Sequence, residues 1–478
     1  MKKQKRSARH FGLKALLLLL SLVMLFASLS ACQAPADTGG TTVEGDKDSY
    51  AGRKLDVLFM VGGQGQMADP ILAKLEEVLP GLETTIVYDH KAADILRRRV
   101  MADDPPDIFD VNSGFYDYYA AISEGVCKPL DFLYDVPCVD DPSKTLGDIL
   151  AFPMMTFGFV DGKHYCMSDS IFTSGLWYDA NMFKEKGYAV PETWDEFYAL
   201  GEKAKADGKY LLSYSTRSAA EYFYQYWFNP LLTTLSLEAF GKTQNPAADS
   251  WSDPAVRKAL ELTKDLVDKG YVETMSGTLV ITELQMQFCN GNILFYPCGS
   301  WLEAEMGDNW PDGFDLTYLP FPTQKKGEAS YLHVTGVVSA VSAKTKNEDL
   351  VKEYYRYMLS NKETMEKVIG ITMNGLPVKD FSTNFGSLLP SSTASSWAAI
   401  DSGRVIGYRA MAPSFYPSLG PVINDKISGL TLEGTSVDEV IDALNGIYAQ
   451  ILADDSITKR EYDLSSVMEA LANYNATK

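Results

Sequence analysis

The sequence predicts an α/β protein of two lobes, and three observations carry that prediction. Residues 54–111 read as strand, helix, strand, helix, strand, the order that builds a parallel sheet covered by helices. About 425 residues follow a leader and a polar spacer, far more than one ordinary core accommodates. The composition is that of a globular chain, with 46% hydrophobic and 22% charged residues.

The leader comes first. Lys2, Lys3, Lys5, Arg6, Arg9 and Lys14 precede an apolar run over 15–29, which ends in Leu29-Ser30-Ala31-Cys32. That run falls short of the ~20 residues a stable membrane anchor needs. The order basic, apolar, small marks an export signal that is removed. Leu-Ser-Ala-Cys resembles a bacterial lipobox, which implies cleavage before Cys32 and a lipid on its thiol; the plainer reading is an ordinary signal peptide with an incidental cysteine. Residues 33–49 are small, polar and acidic, a composition too poor in apolar surface to offset ordering, so residues 32–52 are expected to be a flexible tether.

Charge excludes some partners. The whole chain carries a formal −20, and the leader holds six of its 43 basic residues and none of its 63 acids, so the remainder is more acidic still. Such a balance argues against nucleic acid, which calls for a basic footprint. Five cysteines remain besides Cys32, an odd number that cannot all pair: Cys127, Cys138, Cys166, Cys289 and Cys298. None has zinc spacing, and with four histidines in all no metal site is expected. Cys127 and Cys138 flank a short loop and could bridge; buried thiols are the favoured reading.

Along the chain, strand 54–61 leads into a loop over 62–66, then a helix over 69–79 with Ile71, Leu72, Leu75, Val78 and Leu79 at helical spacing. Strand 84–88, helix 92–101 and strand 107–111 follow. Ligands of such sheets sit beyond the strands' carboxyl ends, which nominates the loops 62–66 and 112–116. Gly63-x-Gly65-x-x-Ala68 imitates a dinucleotide fingerprint, but a lone match is weak, and a tight turn with bare backbone explains it. No cofactor is expected. Thr193-Trp194-Asp195-Glu196 is a capping box that opens a helix ending near Gly208.

Several segments together resemble the extracellular solute-binding proteins of sugar ABC transporters, in the class that includes maltodextrin-binding protein. They are Pro106-Asp107-Ile108-Phe109, Asp161-Gly162-Lys163-His164-Tyr165, Trp177-Tyr178-Asp179, Val190-Pro191 with Thr193-Trp194-Asp195-Glu196, and Asn290-Gly291-Asn292 leading to Gly299-Ser300-Trp301. The stretch 290–306 is most similar to the N-acetylglucosamine and diacetylchitobiose branch. The chain departs from the family's pattern at Cys166-Met167-Ser168 and at Tyr178-Asp179. The resemblance covers nearly all of the chain after the spacer. It implies a two-lobed, periplasmic-binding-protein-like fold of class II with hinge strands and a ligand cleft between the lobes. Lobe 1 would hold 53–168 and 337–375, and lobe 2 would hold 169–335 and 376–478.

The implied function is capture of a sugar or oligosaccharide for permease subunits by a lipid-anchored monomer at the outer face of the cytoplasmic membrane. A sugar needs aromatic planes for its apolar face and directional polar groups for its rim. The resemblance nominates Trp301 for stacking, Tyr226 and Trp227 from the aromatic run 221–228, and the late pair Phe415 and Tyr416. From the first lobe and crossing come Asn112, Ser113, Gln64 and Asp169. Each aromatic could equally be core filling, and His333 a structural histidine. A surface glycosidase is the main alternative; it would need two placed carboxylates, and neither a Gly-x-Ser-x-Gly elbow nor a His-Glu-x-x-His helix occurs. A ligand-sensing receptor without transport is the second.

Overall fold

The structure is a computed structural model that describes residues 50–61, 65–112, 116–273, 275 and 277–478. Cys32, Gln64 and Ser113 lie outside the described residues. Eleven strands are present among those described: β1 Lys54–Phe59, β2 Glu83–Tyr88, β3 Ile108–Asp110, β4 Phe159–Val160, β5 Lys163–His164, β6 Cys166–Asp179, β7 Tyr210–Leu212, β8 Ile293–Gly299, β9 Leu316–Leu319, β10 Ser330–Val341 and β11 Val405–Tyr408.

Nine of them form one sheet in the order β2-β1-β3-β10-β6-β8-β7, with β11 on β10 and β9 on β6. The first three pair in parallel, as the alternation of strands and helices over 54–111 predicts. The helices between them, Asp69–Val78 and Ala92–Met101, bury Ile71, Leu72 and Leu75, and Ala92, Ala93 and Leu96. Their apolar residues recur every three or four positions, so one face of each helix meets the sheet.

The two long strands β6 and β10 run antiparallel through the middle of the sheet, from Ala340 opposite Cys166 to His333 opposite Ser174. At one end β10 borders β3, and at the other β10 borders β11 while β6 borders β8 and β9. The ladder slips at a bulge between Val337 and Val338, beside Gly336. Gly336 has φ +150°, and a Cβ there would stand 1.9 Å from the Ser170 carbonyl oxygen, so only glycine lets the strands approach this closely. A third segment joins them where the Ile171 amide donates to the Gly375 carbonyl.

The capping box forms as the sequence predicts. Thr193 Oγ1 accepts from the Glu196 amide, the Glu196 carboxylate accepts from the Thr193 amide, and helix Trp194–Ala206 follows. All five cysteines are free and buried, so the possible Cys127–Cys138 bridge is not formed. Among the described residues no cluster of ligating side chains could hold a metal ion, and no helix is long and apolar enough to cross a membrane.

Candidate ligand-binding cleft

The carboxyl ends of β1 and β3 open onto a cavity of about 520 Å³, within the size range of small-molecule sites. Its walls come from three places. Met60 and Val61 continue β1, while Asp110 ends β3 and Asn112 follows it. Phe172 of β6 and Thr335 to Val338 of β10 form the back. Glu221, Tyr222, Gln225, Tyr226, Trp301 and Glu305 come from the far end of the sheet.

Local geometry explains each placement. Asn112 has φ +55°, a left-handed conformation that asparagine tolerates better than most residues, and its amide donates to Asp110 Oδ1 at 3.1 Å. Burial pushes the Asp110 carboxyl up to about 7. Tyr222 and Tyr226 are a helical turn apart on helix Ala220–Phe223 and the π-helical turn Tyr224–Phe228 that continues it, so both face the cavity. A π turn of this kind adds a residue to the winding, a device frequent at functional sites.

Trp301 follows the end of β8. Its indole occupies the space above Gly299, where a Cβ would come within 2.1 Å of the ring. Glycine two residues before the tryptophan is therefore what lets the side chain fold back into the cleft. Phe172, Tyr222 and Tyr226 hold the indole at centroid distances of 5.8, 5.9 and 6.1 Å and steep interplanar angles. Such edge contacts stabilise a ring without covering both its faces. Glu305 accepts from Gln285 Nε2 at 2.7 Å, and desolvation raises its pKa.

Of the residues nominated from sequence, Trp301, Tyr226 and Asn112 meet in this cavity. Trp227 does not. It is fully buried, donates from Nε1 to Thr263 Oγ1 at 3.1 Å, and packs among Trp194, Phe197 and Phe321. Its position one residue beyond Tyr226 turns it to the opposite, core-facing side of the helix.

Asp169 also lies away from the cleft. It is wholly buried in β6, where Ser339 Oγ donates to Oδ1 at 2.8 Å and Tyr355 in turn contacts Ser339. Strand alternation sends it toward helix Glu348–Ser360 rather than into solvent.

Phe415 and Tyr416 belong elsewhere. Tyr416 is 2% exposed, and its hydroxyl is tied to the backbone of Arg460. Phe415 packs edge-on against Tyr119 at 4.8 Å and lines a second cavity of about 490 Å³ with Arg460 and Asp463. His333 is a buried structural histidine, held neutral by burial with its pKa pushed down to about 3.

Sequence reasoning missed Tyr222, Gln225, Glu221 and Glu305. A signal for the first three was present: 221, 222, 225 and 226 fall on one helical face that carries the run's glutamate and glutamine, whereas Phe223 and Trp227 share another.

Comparison with known proteins agrees with this architecture. The profile of the bacterial extracellular solute-binding protein family matches residues 65–365. The diacetylchitobiose binding protein NgcE of Streptomyces coelicolor is 26% identical over 347 residues, 70% of this chain and 73% of that protein. The multiple sugar-binding protein of Streptococcus mutans is 24% identical over 314 residues, 65% of this chain and 71% of its own. Apo RafE of Streptococcus pneumoniae superposes with a TM-score of 0.65 at 19% identity, covering 83% of this chain and 99% of RafE. These relatives are binding proteins rather than enzymes. The chain belongs to the bacterial extracellular solute-binding protein family.

Proposed function

We propose that this protein captures a sugar or oligosaccharide in the cleft between Trp301 and the ends of β1 and β3, as the extracellular binding component of an ABC transporter. One observation carries the reading: aromatic rings and hydrogen-bonding groups converge on one cavity from both ends of a sheet joined by β6 and β10. Relatives named for diacetylchitobiose, multiple sugars and, in a solved complex, raffinose support the ligand class.

In this reading residues 53–168 with 337–375 act as one lobe and 169–335 with 376–478 as the other. A ligand that touches both gains contacts only in the closed arrangement, so binding shifts the population toward closure. Permease subunits then recognise the closed form. Cys32 carries the lipid that keeps a monomeric binding protein beside its permease, and 33–49 is the spacer.

A thermal-shift screen of mono- and oligosaccharides tests the reading, because a ligand that binds the native state raises its stability by RT ln(1 + [L]/Kd). At least one sugar is expected to raise the melting temperature and to be recovered unchanged. Absence of any shift across the panel, or shortened products, contradicts it.

A further inference from the structure

We propose that residues 454–476 form a strap behind the hinge that favours the open arrangement of the lobes, and that Arg460 thereby sets sugar affinity without touching sugar. This rests on the two-lobe reading above and goes beyond it by assigning what opposes closure.

The cleft and the strap lie on opposite faces of the sheet. Successive strand residues alternate between those faces. Trp301, Tyr222 and Phe172 pack against the core cluster of Val57, Phe59 and Ile108, on one face. Tyr119, Phe157, Phe415 and Tyr462 belong to the cluster of Leu58 and Phe109, on the other. The crossing strands β6 and β10 run between the two.

The strap is anchored in lobe 2. Tyr416 Oη donates to the Arg460 carbonyl at 3.2 Å and accepts from the Arg460 amide at 2.9 Å. Tyr462 Oη donates to the Arg409 carbonyl at 2.7 Å, and the Tyr462 amide donates to Asn245 Oδ1 at 2.7 Å. From these anchors the segment reaches lobe 1. The Arg460 guanidinium lies 5.0 Å from the centroid of the Tyr119 ring, and its Nη2 is 3.5 Å from Ser123 Oγ. Phe415 meets the same ring edge-on at 4.8 Å.

This seam is not filled as a core is. A cavity of about 490 Å³ lies between 159–162 and 458–461. Another of about 340 Å³ lies between Pro153 and Met154 on one side and Ala470 and Tyr474 of helix Ser465–Ala476 on the other. Neither shares a described lining residue with the cleft. Surfaces joined by a guanidinium and a few ring contacts can part, whereas interdigitated side chains resist it.

Geometry fixes the direction of the effect. Closure about β6 and β10 narrows the face that carries Trp301 and widens the face that carries the strap. The contact of Arg460 with Tyr119 is lost in that motion, so it stabilises the open arrangement. A sugar that needs the closed arrangement has its apparent affinity reduced by the fraction of protein able to close. Removing the contact raises that fraction.

The test compares the unmodified chain with Arg460→Ala, which keeps the backbone bonds to Tyr416. Calorimetric titration with N,N′-diacetylchitobiose and with raffinose is expected to show affinity about 3- to 10-fold higher in the variant. Damage to the fold lowers affinity, so a rise is not a side effect of it. Ser123→Asp, which sets a carboxylate beside the guanidinium, is expected to weaken binding only while Arg460 is present. Spin labels on His90→Cys and Met275→Cys, exposed positions on the two lobes, report closure without sugar in a Cys32→Ser background, since the other five cysteines are buried. Arg460→Ala is expected to enlarge the population at the shorter distance. An unaltered distance distribution overturns the inference, and so does affinity that is unchanged or lower in the folded variant. If neither sugar binds, the sugar reading loses both candidates, and the distance distribution alone decides this inference.

Discussion

Two aromatic faces of one short helical stretch behave in opposite ways. On one side, Tyr222 and Tyr226 line the cleft beside Trp301. On the other, Phe223 and Trp227 stack on each other and on Tyr214, Phe197 and Phe321 in the core. The rings are chemically similar, and the difference is phase. A residue's neighbours one helical turn away decide whether its ring meets ligand or protein, which makes loss of stability and loss of binding separable within six consecutive positions.

The largest expected effect breaks the core face. Trp227→Ala removes a fully buried indole and orphans Thr263 Oγ1, and is expected to lower the free energy of unfolding by about 3–5 kcal/mol. Urea titration followed by circular dichroism measures it, and a loss below about 1 kcal/mol would show the ring is not core.

Trp301→Ala probes the other face. It is expected to weaken sugar binding by about 10- to 100-fold, the range that loss of one stacking ring and its apolar area implies, with little change in melting temperature. Gly299→Ala should act through the same residue, because the added methyl collides with the indole and drives it from the cleft. Its binding defect, read by calorimetry, should approach that of Trp301→Ala; unaltered affinity would mean the ring's position is unimportant.

A pH-dependent effect, partly offset between groups, belongs to acid. His164 and His333 are held neutral by burial, with pKa values pushed down to about 4 and about 3. The unfolded chain binds protons at both below about pH 6.5 while the native state does not, so stability falls as pH drops from 6.5 toward 4. The slope is about 1.4 kcal/mol per pH unit for each histidine across that window. Asp110 works in the opposite sense, since its folded pKa of about 7 favours the native state as pH falls toward 4. Replacing His164 by Gln should flatten the acid limb of a urea-midpoint profile against pH, and an unchanged slope would contradict the assignment.

The smallest is Thr193→Ala, which removes the side-chain cap of helix Trp194–Ala206 and should cost about 1 kcal/mol without touching affinity.

Much of the fold was legible in the sequence because its signals are local. The capping box at Thr193 and Glu196, the alternation of strands and helices over 54–111, and the apolar spacing of Ile71, Leu72 and Leu75 depend on near neighbours only. Trp301 was nominated by the resemblance of Gly299-Ser300-Trp301 to a family motif, and the structure supplies the physical reason for its glycine, a clash that spans two residues. Asp169 was not, because strand alternation and the bulge near Val337 decide which face of β6 meets Ser339 and Tyr355. Phe415 and Tyr416 failed for a longer-range reason: the segment near Arg460 covers them from 44 residues away. The cleft glutamates were hidden among 63 acids, where composition carries no positional information.

The two cavities offer the sharpest contrast, one beside Trp301 and one beside Phe415 and Arg460. A crystal structure with a bound oligosaccharide distinguishes them directly. Sugar density against Trp301, within hydrogen-bonding reach of Tyr226 and of the ends of β1 and β3, is the expected result. Density against Phe415 and Arg460, with the space beside Trp301 holding only water, would contradict the assignment of the cleft.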